Sequence, residues 1–149
     1  MRSIKDAKLT RLRDRLVRTS LEWERRFAVL PSITGAVAEF DAARLKGTSL
    51  EVGRGRTASA TAVKKGWDFE KNGARYQVKG NRPSGKPGSR VTLVSKAKNY
   101  DWDRLIWILY DRSYNIQEAR EWSREGYRRR FGGKRRLSPT DMRLGRRIR

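Results

Sequence analysis

Two residue types are missing from this sequence, and each absence excludes a kind of chemistry. The 149 residues include no cysteine and no histidine. Disulfides and thiolate zinc sites are therefore excluded, as are imidazole metal ligands, Ser-His triads and histidine general bases. Any catalysis must use carboxylates, amides, lysines or hydroxyls. Carboxylate and amide oxygens suit hard cations such as Mg2+ or Mn2+.

Long hydrophobic runs are missing as well. The sequence has no stretch of about 18 apolar residues that would suit a membrane span, no signal-peptide core and no lipidation motif. These absences argue against a membrane partner and predict a cytoplasmic protein.

Acidic residues are few beside the basic ones. Thirty-seven Lys and Arg stand against sixteen Asp and Glu, which gives a net charge of +21 and a pI near 11.3. So much charge of one sign repels itself unless a polyanion neutralises it. Nucleic acid, above all double-stranded DNA, is the expected partner, and an anionic membrane surface is the competing one.

The chain length predicts a single domain, 1–149, with three parts. An N-terminal helix is expected in 1–30, a core in 33–110 and a basic segment in 120–149. The segment 120–149 holds twelve basic and three acidic residues, a net of +9. It is either a phosphate-binding surface or a disordered arm.

Two helices are expected before residue 48. In 4–28, apolar residues recur at helical spacing and predict one buried face: Leu9, Leu12, Leu16, Trp23 and Phe27. Pro31 interrupts this pattern, and "SITGAVAEFDAARLKG" predicts a second helix, capped by Ser32 or Thr34 and ended at Gly47. Its expected core face is Ile33, Ala36, Val37, Phe40 and Ala43.

The remaining pattern predicts strands and two further helices. "RLIWILY" at 104–110 is a continuous apolar run, typical of a central strand covered on both faces. "VTLVSKA" alternates weakly and is expected to be a strand, whereas 49–62 is expected to be mostly loop. Helices are predicted from Ser123 to Phe131 and from Ser138 onward. The expected class is α/β (α+β), with a mixed central sheet flanked by helices.

A hairpin is predicted between residues 67 and 79. Asn72-Gly73 is typical of a two-residue type I′ turn. Pairing about this turn places Asp68 opposite Gln77, with Lys79 next along the same face. The opposite, core-facing side is expected to carry Trp67, Phe69, Tyr76 and Val78. Facing side chains this close can share one cation.

Asp68, eight intervening residues and then Gln77-Val78-Lys79 resemble the PD-(D/E)xK nucleases, the restriction-endonuclease-like superfamily. The resemblance covers about 33–110, with Trp67 in place of the motif's proline and Gln77 in place of its second acid. Family members often add a Glu from the preceding helix, here Glu39.

The resemblance implies a restriction-endonuclease-like fold and an Mg2+- or Mn2+-dependent endonuclease that hydrolyses DNA. The implied catalytic residues are Glu39, Asp68, Gln77 and Lys79, and the implied metal ligands are Glu39, Asp68, Gln77 and the carbonyl of Val78. Backbone contacts are expected from Lys64, Lys65, Arg82, Lys86 and Arg90. Double-strand cleavage would favour a homodimer or tetramer.

The same residues have a simpler interpretation. A lone Asp, Gln and Lys on a hairpin can be an exposed polar face, and Glu39 can be a solvated helix residue. The chain would then be a non-catalytic protein that binds DNA or RNA through its basic surface.

Overall fold

The computed structural model describes residues 4–50 and 66–149. The helices in these ranges are α1 (Ile4–Phe27), α2 (Thr34–Leu45), α3 (Arg124–Phe131) and α4 (Pro139–Met142). The strands are β1 (Phe69–Lys71), β2 (Ala74–Asn81), β3 (Arg104–Tyr110), β4 (Ile116–Ser123) and β5 (Arg146–Arg147).

The strands form one mixed sheet in the order β1-β2-β3-β4-β5. Strands β2 and β3 are parallel, and the other neighbours are antiparallel. The β1–β2 hairpin turns at Asn72 and Gly73, whose φ angles of 51° and 78° suit a type I′ turn. The predicted hairpin, the central strand at 104–110 and the mixed α and β class are confirmed.

Strand β3 is buried on both faces, as its apolar run predicts. Ile106 and Ile108 face a core shared with α2, whereas Leu105 and Trp107 face a second core that includes α3. Successive side chains of a strand point to opposite faces, so an unbroken apolar run is what two covered faces require.

Helix α2 packs on β2 at very short range. A Cβ added to Gly80 would lie only 2.6 Å from the Cβ of Ala38, so small residues on both elements permit the approach. Phe69, Tyr76 and Val78 belong to the same core as α2. The helix therefore covers the face of the hairpin that carries these three side chains.

Two strand assignments differ from the sequence expectation. "VTLVSKA" is not a strand, since within it only Val94 forms an isolated bridge, to Leu137. Strand β4 was not predicted, because its buried side chains include Glu118 and Glu121. Buried acids hide the apolar alternation by which a strand is recognised.

The basic segment 120–149 is folded, so the disordered-arm alternative is wrong. Ser123 caps α3 by accepting a hydrogen bond from the amide of Gly126. Ser138 and Asp141 form the reciprocal capping box of α4. Both helix starts were predicted from these residues.

The α1 prediction is right about the helix and wrong about its face. Leu12, Leu16, Trp23 and Phe27 are exposed, and the buried residues of α1 are Val17 and Ser20. None of the described helices is long and apolar enough to cross a membrane.

The core face predicted for α2 is largely confirmed, since Ile33, Val37 and Ala43 are buried. Ala36 is exposed and Asp41 is buried instead. The N-cap is Ile33, without a side-chain cap, so the predicted cap at Ser32 or Thr34 is wrong. Gly47, at φ 74°, follows the helix end as predicted.

Candidate functional site

Asp68 lies just before β1 and is one residue out of step with the hairpin ladder. The paired residues end at Phe69 and Tyr76. The Asp68 amide donates to the Tyr76 carbonyl at 2.7 Å, and Asp68 Oδ2 accepts from the Val78 amide at 2.7 Å. The carboxylate thus takes the place of a ladder carbonyl, and the predicted direct pairing of Asp68 with Gln77 is wrong.

The same departure from the ladder places Trp67 on the other side of the sheet from its predicted position. It is buried in the core with Trp102 and Trp107, whereas Phe69 stays in the core shared with α2. The chain turns at Gly66, whose φ is 74°. The prediction that Trp67 shares a face with Phe69 and Val78 is therefore wrong.

Lys79 lies on β2, and its pKa is lower than the ordinary value of a lysine. Burial, the largest influence, lowers the pKa of Lys79, the negative charge of Asp68 raises it and the positive charge of Lys98 lowers it, for a net decrease. Asp68 and Lys79, eleven positions apart in the sequence, are therefore electrostatically coupled. A lysine with a lowered pKa holds its proton less tightly and is better suited to proton transfer.

Lys98 is a neighbour of Lys79 that the sequence analysis missed. It lies in the connection before β3 and is exposed. No short-range motif links it to Gln77-Val78-Lys79, because the long connection between parallel strands brings it there.

The strand alternation separates Glu39 from the rest of the implied site. Gln77 and Lys79 point away from the face that carries Tyr76 and Val78, and α2 packs on that latter face. Glu39 is thus carried by a helix on the sheet side opposite to Gln77 and Lys79. The structure does not bring these side chains to one face of the sheet.

The buried acid of α2 is Asp41. Its carboxylate accepts hydrogen bonds from the Tyr110 hydroxyl at 2.6 Å and from Arg13 Nη2 and Nε at 2.8 and 3.2 Å. Burial, followed by the Asp41 charge, raises the pKa of Tyr110. Asp41 therefore anchors α1 and β3 to α2.

The oxygen ligands near Asp68 determine which kind of metal site these residues could form. Within residues 4–50 and 66–149, no three acidic side chains come together as a metal-binding group. Mg2+ is often bound by one or two carboxylates with water and substrate phosphate completing its shell. Asp68 and Gln77 supply the carboxylate and amide oxygens that such a water-rich site uses, and the described residues do not form a site of three carboxylates.

The predicted phosphate contacts divide into three groups. Lys64 and Lys65 lie outside the described residues. Lys86 and Arg90 are exposed. The phosphate contact predicted for Arg82 is not supported by the position of its side chain, which is only 5% exposed. Its guanidinium donates to both Glu24 carboxylate oxygens and to the Arg112 carbonyl. Its guanidinium holds the structure together and does not face solvent.

A larger basic surface lies at the end of the chain. We call it the C-terminal basic surface; its exposed members are Arg124, Arg128, Arg129, Arg130, Lys134, Arg135 and Arg136. Lys134 pairs with Asp141, and Arg128 lies over the Tyr100 ring. Arg129, Arg130, Arg135 and Arg136 form no ion pair with the described residues. Their charge is available to a polyanion.

Comparison with protein-family models and with curated protein sequences finds no match.

Proposed function

We propose that the protein is an Mg2+- or Mn2+-dependent endonuclease with a restriction-endonuclease-like fold that binds DNA and hydrolyses its phosphodiester bonds. The observation that carries the proposal is the coupling of Asp68 to Lys79, a lysine whose pKa is lowered. Such a pair suits metal-dependent phosphodiester hydrolysis, because a carboxylate can bind the cation and an amine can position or deprotonate water.

The side chains have separate tasks in this proposal. Asp68 is oriented by the Val78 amide, which leaves its carboxylate held at a defined place. Lys79 orients the attacking water and accepts its proton. A bound Mg2+, held by Asp68 and Gln77, would polarise the scissile phosphate.

The net charge of +21 supplies most of the affinity in this proposal. Lys86, Arg90 and the C-terminal basic surface contact phosphates, which positions the duplex without reading its sequence.

The second candidate is a nucleic-acid-binding protein without hydrolytic activity. It is favoured by the neutral Gln77 and by the position of Glu39, whose helix packs on the other face of the sheet. Under this alternative Asp68 is a structural residue that completes the hydrogen bonding of Val78.

Cleavage of supercoiled plasmid with Mg2+, with Mn2+ and with chelator separates the two candidates. Wild-type protein should nick or linearise the plasmid only with metal. Asp68→Asn and Lys79→Met should abolish cleavage and retain binding, whereas Asp101→Asn, which changes an exposed acid outside the site, should cleave normally. Binding without cleavage of duplex, single-stranded and branched substrates would replace the enzyme proposal by the binding one.

A further inference from the structure

Helix α1 turns a stripe of basic side chains to solvent. We call it the basic stripe; its exposed members are Lys8, Arg11, Arg15, Arg18 and Arg26. Val17 and Ser20 mark the buried side of the helix. At about 100° per residue, the basic stripe lies roughly opposite to these two residues, within an arc of about 80° and over about 27 Å of the helix.

Most of the charge of the basic stripe is unpaired among the described residues. Arg26 pairs with Glu22, the one acid of α1 within this arc, at 3.3 Å, and both side chains are more than half exposed. Such a surface pair is easily exchanged. The other four members form no ion pair with the described residues. A row of uncompensated positive charges favours a polyanion as partner.

Four apolar side chains follow one edge of the basic stripe. We call them the apolar row: Leu12 (54% exposed), Leu16 (42%), Trp23 (51%) and Phe27 (58%). They lie about 100° around the helix from the centre of the stripe, between it and the buried side. The rings of Trp23 and Phe27 have centroids 4.6 Å apart and are tilted by 51°. Helix α1 therefore presents cationic groups and exposed ring faces side by side.

We propose that this side of α1 binds a single strand of nucleic acid, with phosphates on the basic stripe and unpaired bases on Trp23 and Phe27. A single strand carries charge along its backbone and exposes the flat faces of its bases, so it matches both halves of this surface. Stacking of bases on aromatic side chains adds affinity for any sequence. A duplex keeps the faces of its bases stacked inside, so it can contact the stripe but not the rings.

The placement of the apolar row disfavours the two other occupants. A membrane-surface helix buries its apolar face about 5–10 Å into the lipid boundary. A flat bilayer would meet the outward basic stripe first, whereas the apolar row is turned partly towards the body of the protein. Against a second copy of this chain, the basic stripes would repel each other. A thin, flexible strand can follow the edge between the stripe and the row.

The α1 surface is separate from the C-terminal basic surface. Val17 of α1 packs in the core shared with α2, whereas Tyr127 and Phe131 of α3 pack in the second core, across the sheet. The two basic surfaces therefore lie on opposite sides of the sheet. Binding at α1 requires neither metal nor hydrolysis, so this proposal goes beyond the proposed endonuclease and stands or fails independently of it.

Fluorescence anisotropy with chelator present tests the proposal, using a labelled oligothymidylate of about 16 nucleotides and a duplex of the same length. Trp23→Ala combined with Phe27→Ala should lower the single-strand affinity about tenfold for each ring that stacks on a base, and should leave the duplex affinity unchanged. Leu93→Ala and Leu144→Ala are matched controls, since these leucines are 58% and 56% exposed elsewhere, and both should bind like the wild type.

The salt dependence of single-strand binding tests the basic stripe. Changing Arg11, Arg15 and Arg18 together to Gln should flatten the log-log slope by about 0.7 for each phosphate contact that is lost. A variant with three arginines of the C-terminal basic surface changed to Gln has the same net charge and should keep the wild-type single-strand slope: Arg129, Arg130 and Arg135. Circular dichroism of each variant checks that α1 remains helical.

Trp23 offers an independent readout, because the other four tryptophans are buried. Oligothymidylate should quench its emission, and Trp23→Phe should lose this quenching while retaining most of the affinity. Unchanged single-strand affinity in the folded double alanine variant would overturn the proposal. So would equal flattening of the slope by the two charge variants. Binding to phosphatidylserine vesicles, or self-association, that depends on Trp23 and Phe27 when single-strand binding does not would assign the surface to that other partner.

Discussion

The Arg82 guanidinium donates to both carboxylate oxygens of Glu24, at 3.0 and 3.1 Å, and so joins the connection after β2 to the inner side of α1. The same guanidinium lies over the Tyr114 ring. Because both partners are largely buried, neither is easily replaced. This pair gives Arg82 a structural role where the sequence suggested a phosphate contact.

Arg82→Ala should lower the free energy of unfolding by about 3 kcal/mol, since it leaves Glu24 buried without its partner. Urea denaturation measures this change. The salt dependence of DNA binding should be unchanged, whereas Lys86→Ala should flatten the log-log slope by about 0.9 if Lys86 contacts one phosphate. A flatter slope for folded Arg82→Ala would return Arg82 to the nucleic-acid interface.

Gly80→Ala should destabilise the protein by about 2 kcal/mol, because the new methyl group overlaps Ala38. Ala38→Gly in the same chain should recover part of this loss. Gly35 is the matched control, since an added Cβ there meets nothing within 4 Å. Gly35→Ala should stabilise the protein by roughly 0.5 kcal/mol, and chemical denaturation compares all three variants.

Glu121 should make stability depend on acid pH. Its carboxylate lies near Lys46 Nζ at 2.8 Å and Arg146 Nη2 at 2.5 Å. The Lys46 contact at Oε1 is an ion pair by distance, although Oε1 accepts no well-aligned hydrogen bond. Burial raises the pKa of Glu121, but Lys46 and Arg146 outweigh it, so the pKa lies below its ordinary value of 4.5.

A carboxyl with a lowered pKa stabilises the fold fully above 4.5, and this contribution is lost as the pH falls through the folded-state pKa. Glu121→Gln should cost about 3 kcal/mol at neutral pH and a shrinking amount in acid. Denaturation at several pH values gives the difference from wild type. The exposed Glu125→Gln serves as control, and a constant difference for Glu121→Gln at all pH values would contradict the prediction.

Lys79 should make the stability of the fold depend on alkaline pH. Since its pKa is lowered, the unfolded chain binds more protons than the folded one between the folded pKa and 10.5, and stability should rise with pH in that window. Lys79→Met should remove this rise. If Lys79 is the base, metal-dependent cleavage should also increase through its folded pKa, and a pH-independent rate would assign it another role.

DNA affinity should fall steeply with salt, with a log-log slope of about −0.9 per phosphate neutralised. Changing Arg129, Arg130, Arg135 and Arg136 together to Gln should flatten this slope, as the C-terminal basic surface predicts. Titration at several salt concentrations measures it. The control variant changes four other exposed arginines to Gln and therefore has the same net charge: Arg11, Arg18, Arg25 and Arg147. If both variants flatten the slope equally, the interface is not localised at the C-terminal basic surface.

Local patterns in the sequence determined much of the fold. The apolar run at 104–110, the Asn72-Gly73 turn and the caps at Ser123 and Ser138 each predict an element that forms. These signals succeed because they depend on backbone geometry and burial within a few residues. Composition likewise determined the chemistry available, since a chain without cysteine or histidine is limited to oxygen and amine groups.

Tertiary structure alone decided which faces are buried and which charges meet. Four apolar residues of α1 predicted to be buried are exposed: Leu12, Leu16, Trp23 and Phe27. Arg13 and Glu24 of the same helix bind partners far along the chain, Asp41 and Arg82. Asp68 leaves its expected register because its carboxylate binds the Val78 amide. These contacts join residues that are remote in sequence, and no local pattern contains their energies. Contacts of the same kind bring Lys98 close to Lys79 and place α2 on the sheet face opposite to Gln77 and Lys79.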